Sequence, residues 1–318
     1  MSKSHVVDVT HPLNRMQAIA AAMKPAHGIP ADVRQIHHQV VDVRGHQVFY
    51  RDAGAKNAPV VLLLHGFPTS SHMFRNLIPE LAEHYRVLAP DLPGFGFTAS
   101  PAPFEHTFAH MAEVIGAFTE ELGVSRFAVY VFDYGAPVGF RMALAHPERI
   151  TAWITQNGNA YEEGLGAGFG LIREYGKAPT AENRAALRRI LTPDSIREQY
   201  TDGVADTSRV APEGYTLDAA LLTRPGNDEI QLDYFLDYRT NLALYPAFQE
   251  YFRKHQPPLL AVWGQNDTIF VPAGAQAFKR DLPGAEVRLY GTGHFALETH
   301  AREIGAVIRG FLSRKLAD

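Results

Sequence analysis

Residues Val60–Leu64 are apolar at all five positions, and no other feature of the chain constrains its fold as strongly. A strand with one wet face alternates apolar and polar residues. One that is apolar throughout is buried on both faces, as in a parallel sheet held between helices. The flanking sequence supplies those helices. Residues 71–84 open on Thr69, Ser70 and Ser71, side chains that cap exposed backbone N–H groups, and read as a helix. Strand 86–89, helix 107–122, strand 127–131, helix Gly135–Ala145 and strand 150–155 follow in turn. Ahead of them, 33–43 and 46–51 read as a hairpin turned at Arg44-Gly45. Alternation of this kind implies parallel strands joined by right-handed helical crossovers, an α/β fold.

The rhythm breaks twice. Residues 1–32 form an N-terminal extension with helical spacing at Leu13, Met16, Ile19, Ala20 and Met23, ended by Pro25, Gly28 and Pro30. Its expected role is a packing helix or a homodimer contact. Between 159 and 251 the chain is aromatic and acidic, with helical patches at 181–191, 194–201 and 227–242. Strand 259–263, helix 272–282, strand Glu286–Tyr290 and helix 298–316 then restore the pattern. The expected organisation is therefore a core of 33–158 and 252–318 with an inserted lid, 159–251, over the carboxyl ends of the strands. Open α/β sheets bind ligands at that edge.

Four loops fall at those strand ends. They are His65-Gly66-Phe67-Pro68, Phe132-Asp133-Tyr134-Gly135, Gly264-Gln265-Asn266-Asp267 and Gly291-Thr292-Gly293-His294. In the order nucleophile, acid, histidine, they resemble the α/β-hydrolase fold superfamily. Asp91-Leu92-Pro93-Gly94-Phe95-Gly96 and Arg141 extend the resemblance, which covers residues 33–318. It implies a doubly covered, mostly parallel sheet with a helical lid. It also implies Asp267 as the acid, His294 as the base, and the backbone N–H groups of Phe67 and Tyr134 as an oxyanion hole. His65 is expected to brace its loop.

The departure from the pattern is informative. Where G-x-S-x-G is usual, this chain reads Val131-Phe132-Asp133-Tyr134-Gly135, and no other segment supplies the serine motif. Aspartate is ionised at neutral pH without help from a base. Its attack on an ester carbonyl would give a high-energy anhydride, whereas attack on a saturated carbon gives an ordinary ester. The expected substrate thus carries an electrophilic sp³ carbon, an epoxide or an alkyl halide, with Asp133 as nucleophile. His294, held by Asp267, then activates water against the ester.

Leaving-group chemistry separates the candidates. Tyr238 lies 29 residues before Asp267 and is followed by Arg239, which resembles the ring-opening tyrosine of epoxide hydrolases. Tyr175 is the expected second tyrosine, with Tyr161 and Tyr200 behind it. Haloalkane dehalogenases place N–H donors where Tyr134 and Phe67 stand, and the two tryptophans, Trp153 and Trp263, fall on core strands. Fluoroacetate dehalogenases place an arginine beside the nucleophile. The loop Gln156-Asn157-Gly158-Asn159 holds no carboxylate, which leaves the acid at Asp267. Epoxide hydrolysis leads; a dehalogenase, or a ligand-binding protein on a hydrolase frame, remains the alternative.

Other signals point away from different classes. Thirty basic against thirty-four acidic residues give a net charge of −4, without the basic footprint of a nucleic-acid or anionic-membrane binder. The absence of cysteine excludes disulfides, thiolate metal sites and thiol nucleophiles. No apolar run nears membrane-spanning length and no signal-peptide pattern opens the chain, so a cytoplasmic location is expected. The glycine run 164–170 does not fit a dinucleotide loop and reads as a hinge or loose lid loop. Fifteen histidines include no H-E-x-x-H, and neither cofactor nor metal is expected. The partners expected are a small apolar or aryl epoxide-like substrate and water.

Overall fold

The apolar run is β3 (Val60–Leu64), and it lies in parallel between β4 (Arg86–Pro90) and β5 (Phe127–Phe132). Val61 through Leu64 have no exposed surface. Their side chains divide by pleat. Leu62 and Leu64 join one core cluster with Phe118, Val129 and Trp153, while Val61 and Leu63 join the other with Phe74, Ala128 and Ile308. A computed structural model describes residues 32–316 of this chain. The extension expected over residues 1–32 lies outside the described residues, Asp32 excepted.

Eight strands make one sheet in the order β1-β2-β4-β3-β5-β6-β7-β8. The remaining strands are β1 (His37–Val43), β2 (His46–Ala53), β6 (Ile150–Gln156), β7 (Leu259–Gly264) and β8 (Glu286–Tyr290). β1 and β2 run antiparallel to their neighbours and all other pairs are parallel. Arg44 and Gly45 both take positive φ, 53° and 89°, the signature of a hairpin turn whose twist matches its strands. Helices α1 (Phe108–Glu121) and α2 (Gly135–Ala145) cover the first face through Phe118 and Phe140. The terminal helix covers the second through Ile304, Ile308 and Phe311.

Between β6 and β7 the chain is helical: α3 (Gly170–Lys177), α4 (Ala181–Leu187), α5 (Pro193–Thr201), α6 (Pro212–Leu222) and α7 (Asn227–His255), with short 3₁₀ turns. After β7 come α8 (Pro272–Asp281) and the terminal α9 (Ala296–Lys315).

Three local expectations are corrected. The helix expected over 71–84 is a 3₁₀ turn, Ser71–Phe74, and one α-turn, Ile78–Leu81. Pro79 has no N–H for the carbonyl of Arg75, and it sits in the first turn of the second piece, where that N–H is not needed. Conversely, α7 does not stop at 242. It passes Pro246, which costs about 3 kcal/mol in a helix interior, and reaches His255. The turns beyond bury Phe248, Tyr251 and Phe252 on Phe140 and Trp153, and that burial outweighs the lost hydrogen bond. The glycine run is no loose loop. Gly166 and Gly168 donate to the carbonyls of Ile269 and Thr268, both at 2.9 Å, an approach that a Cβ at Gly166 would block.

Candidate active site

β5 ends at Phe132 and α2 begins at Gly135, leaving two residues to reverse the chain. Asp133 absorbs the reversal with φ of 47°, a left-handed conformation that costs a non-glycine residue free energy. Two glycines make the turn possible. A Cβ at Gly135 would strike the carbonyl of Leu64, and one at Gly66 would strike Asp133 itself. The carboxylate is thereby lifted to the amino end of α2, where the helix dipole favours negative charge.

Two backbone amides hold it. The N–H of Phe67 donates to Asp133 Oδ1 at 2.6 Å, and the N–H of Tyr134 also donates to the carboxylate. His65 fixes the first of these loops. The N–H of Leu92 donates to His65 Nε2 at 2.9 Å, so Nδ1 carries the proton and donates to the carbonyl of Gly66 at 3.0 Å. Burial pushes the Asp133 carboxyl up to about 6, while His294 and the two amides pull in the opposite direction.

His294 stands beyond β8, and its Nδ1 lies 2.7 Å from Asp267 Oδ2. A carboxylate partner puts the proton on Nδ1 and leaves Nε2 free to accept one. Burial opposes charging this ring, but Asp267 and then Asp133 outweigh it, so its pKa is raised. Asp267 is itself held by Asn157 Nδ2 at 2.6 Å and by the N–H of Ile269 at 2.7 Å. The Asn157 carbonyl oxygen accepts from the N–H of Gly264 at 2.9 Å, which locks its amide orientation. Asn157 follows β6 with φ of 45°, a conformation asparagine tolerates better than most residues. Sequence reading found no carboxylate in this loop and missed its role as a donor to the acid.

Asp133, Asp267, His294, Phe67, Tyr134 and Tyr238 all line one cavity of about 530 Å³. Its inner wall is aromatic, with Phe169, Phe235 and Phe270. Tyr238 is 1% exposed, and burial drives its phenol well above the ordinary tyrosine range, so it is a donor at any physiological pH. Its hydroxyl shares a hydrogen bond with that of Tyr245, which also accepts from Asn159 Nδ2 at 3.3 Å.

Tyr175 is not brought to this cavity. It is buried elsewhere, and its hydroxyl accepts from Arg184 Nη1 at 2.9 Å. Tyr161 donates to Asp281 at 2.9 Å and Tyr200 donates to Asp218, so neither of these faces Asp133. The tyrosine coupled to Tyr238 is Tyr245, seven residues on, two turns along the same face of α7. That spacing was the available signal. The tryptophan N–H groups are also spent, Trp153 on the Tyr251 hydroxyl at 3.3 Å and Trp263 on the Phe270 carbonyl at 2.8 Å.

Among the described residues no three His, Asp or Glu side chains are grouped to hold a metal ion, and no helix is long and apolar enough to cross a membrane. A family profile described as the alpha/beta hydrolase fold matches residues 59–301. An uncharacterized hydrolase of Saccharomyces cerevisiae is 49% identical over 275 residues, 85% of this chain and 95% of the relative. A haloalkane dehalogenase of Bradyrhizobium diazoefficiens is 27% identical over 85% of this chain and 92% of its own. The crystal structure of an epoxide hydrolase from Vigna radiata superposes with a TM-score of 0.70 at 26% identity, covering 88% of this chain and 98% of that one.

Proposed function

The chain belongs to the alpha/beta hydrolase fold family, and from that premise we propose that it hydrolyses epoxides to vicinal diols through a covalent ester on Asp133. The observation that carries this reading is a carboxylate, not a hydroxyl, on the elbow, facing a buried tyrosine phenol across an aromatic cavity.

Oδ1 of Asp133 already accepts from the N–H of Phe67, so Oδ2 attacks an epoxide carbon and the carbon–oxygen bond opens. The phenol of Tyr238 hydrogen-bonds the oxygen as charge develops and supplies its proton. Tyr245 steadies that phenol. Esterification removes the negative charge of Asp133, one of the influences raising the pKa of His294. The imidazole therefore becomes a better-prepared neutral base when water must be activated. Hydroxide adds to the ester carbon, and the resulting oxyanion lies on the N–H groups of Phe67 and Tyr134, each such donor being worth about 2.7–4 kcal/mol. Collapse releases the diol, with the His294 proton passing to the departing alkoxide, and the proton left on the new Asp133 carboxyl returns to the Tyr238 phenolate, which restores both groups.

The dehalogenase reading is favoured by the relative from Bradyrhizobium. Against it, the cavity presents Tyr134 and Phe67 where halide needs side-chain N–H donors, and no arginine or lysine is among the described residues lining it. One assay separates the two. Styrene oxide should yield its diol, and Tyr238→Phe should slow alkylation by about tenfold or more. Halide release from a haloalkane with no diol from any epoxide would overturn the proposal.

A further inference from the structure

Tyr238 is braced by a cluster that takes no part in the chemistry described above. Arg141 projects from α2, the helix that begins two residues after Asp133, and reaches α7 beside Tyr238. Its Nη1 donates to Asn241 Oδ1 at 2.5 Å and its Nη2 to Thr240 Oγ1 at 2.8 Å. The N–H of Phe108, at the start of α1, donates to Asp237 Oδ2 at 2.8 Å. The Phe108 ring packs on both partners, its centre 5.8 Å from the Arg141 guanidinium and 5.5 Å from the Tyr238 ring. Residues 237, 240 and 241 thus tie α7 to α1 and α2 on either side of Tyr238, which fixes the rotation of α7 about its axis. A helix with its side chains is about 10–12 Å across, so a turn of about 10° carries a side-chain tip by about 1 Å. A displacement of that size costs a positioned reacting group up to about 10²-fold in rate.

Stability alone does not account for this cluster. Arg141 is half-buried on neutral acceptors, and among the described residues no carboxylate lies within ion-pair distance of it. Asn241 is fully buried, and with Oδ1 held by Arg141 its Nδ2 is left without a partner. Burial pushes the Arg141 guanidinium down to about 10, while Asp237 and then Tyr238 draw it back up. That attraction is mutual, so the phenolate left on Tyr238 by ring opening is favoured by the same charge. We propose that Arg141 is a positioning residue for ring opening, setting the Tyr238 phenol against the epoxide oxygen through Thr240 and Asn241. The inference rests on the epoxide reading and extends its machinery to a side chain outside the cavity wall.

The test uses the full chain, styrene oxide and rapid-quench kinetics that read alkylation of Asp133 and hydrolysis of its ester separately. Arg141→Met keeps the packing of the stem and removes both donors. It should slow alkylation by about tenfold to a hundredfold. Ester hydrolysis should stay within about threefold of wild type, because Asp267 and His294 stand on other loops. Thr240→Val removes one of the two acceptors and should slow alkylation by about threefold to tenfold. In a Tyr238→Phe background, Arg141→Met should add less than about twofold, since a residue acting through the phenol has nothing left to act on. A merely structural role would slow both steps alike and multiply with the loss from Tyr238→Phe. Either result overturns the inference and leaves the epoxide reading intact. So does wild-type alkylation by Thr240→Val, which carries the test should Arg141→Met fail to fold. If the wild-type protein forms no alkyl ester with any epoxide, that reading falls and the inference with it.

Discussion

Three donors converge on Asp267: Asn157 Nδ2 and His294 Nδ1 on Oδ2, and the N–H of Ile269 on Oδ1. Asp267→Asn keeps the shape and cannot keep the arrangement. If the amide oxygen faces Asn157 and His294, its NH₂ meets the N–H of Ile269. If it faces Ile269, the NH₂ meets two donors and His294 must change tautomer. Either way one buried donor is lost as a partner, at about 1–3 kcal/mol. The charge opposite the imidazolium also disappears. At about 4 Å and an effective dielectric of 20 that charge is worth about 4 kcal/mol, close to three decades in rate, part of it recovered by solvent and relaxation. Ester hydrolysis should therefore slow by about 10²–10³-fold. Alkylation, which needs no base, should stay within about tenfold of wild type. Rapid-quench kinetics with styrene oxide, read by intact-mass spectrometry, should show a stoichiometric burst of alkylated protein followed by slow diol release. If alkylation and hydrolysis slow together and no ester accumulates, the division of labour between Asp133 and the His294–Asp267 pair is wrong.

His294→Gln should arrest the cycle more completely, with the adduct mass mapping to the peptide that carries Asp133; turnover near wild type would exclude His294 as the base. Because burial raises the Asp133 carboxyl to about 6, its nucleophilic form is lost as pH falls through that value. The single-turnover alkylation rate should drop about tenfold per pH unit below 6, and a flat rate between pH 7.5 and 5 would contradict this. Asp218, buried between α6 and the Tyr200 hydroxyl with its Oδ1 unpartnered, is pushed up to about 8 by burial. The folded protein therefore keeps a proton there that the unfolded chain has released near 4, so this group's contribution falls as pH rises across that window. Asp218→Asn does not titrate, and its melting temperature relative to wild type should be higher at pH 8 than at pH 5. An offset independent of pH would show that Asp218 is ionised in the fold.

What the sequence determines is the part set by neighbours along the chain. Val60–Leu64 can be satisfied only by burial on both faces, so β3 sits inside a covered sheet. Phe132-Asp133-Tyr134-Gly135 between a strand and a helix forms an elbow because glycine allows the close approach. The loops bearing Asp267 and His294 are legible for the same reason, since a strand's carboxyl end has one place to deliver its next residues. Packing between distant segments decided the rest. Pro246 reads as a stop until the ring faces of Phe140 and Trp153 are there to bury the aromatic turns beyond it. Tyr175 is a plausible donor in one dimension and Tyr245 is not singled out there, and only the position of Arg184 beside one and Tyr238 beside the other tells them apart. The role of Asn157 is likewise decided by the partners it finds once the chain has closed around the cavity. A hydrogen bond across 110 residues leaves no local periodicity in the sequence.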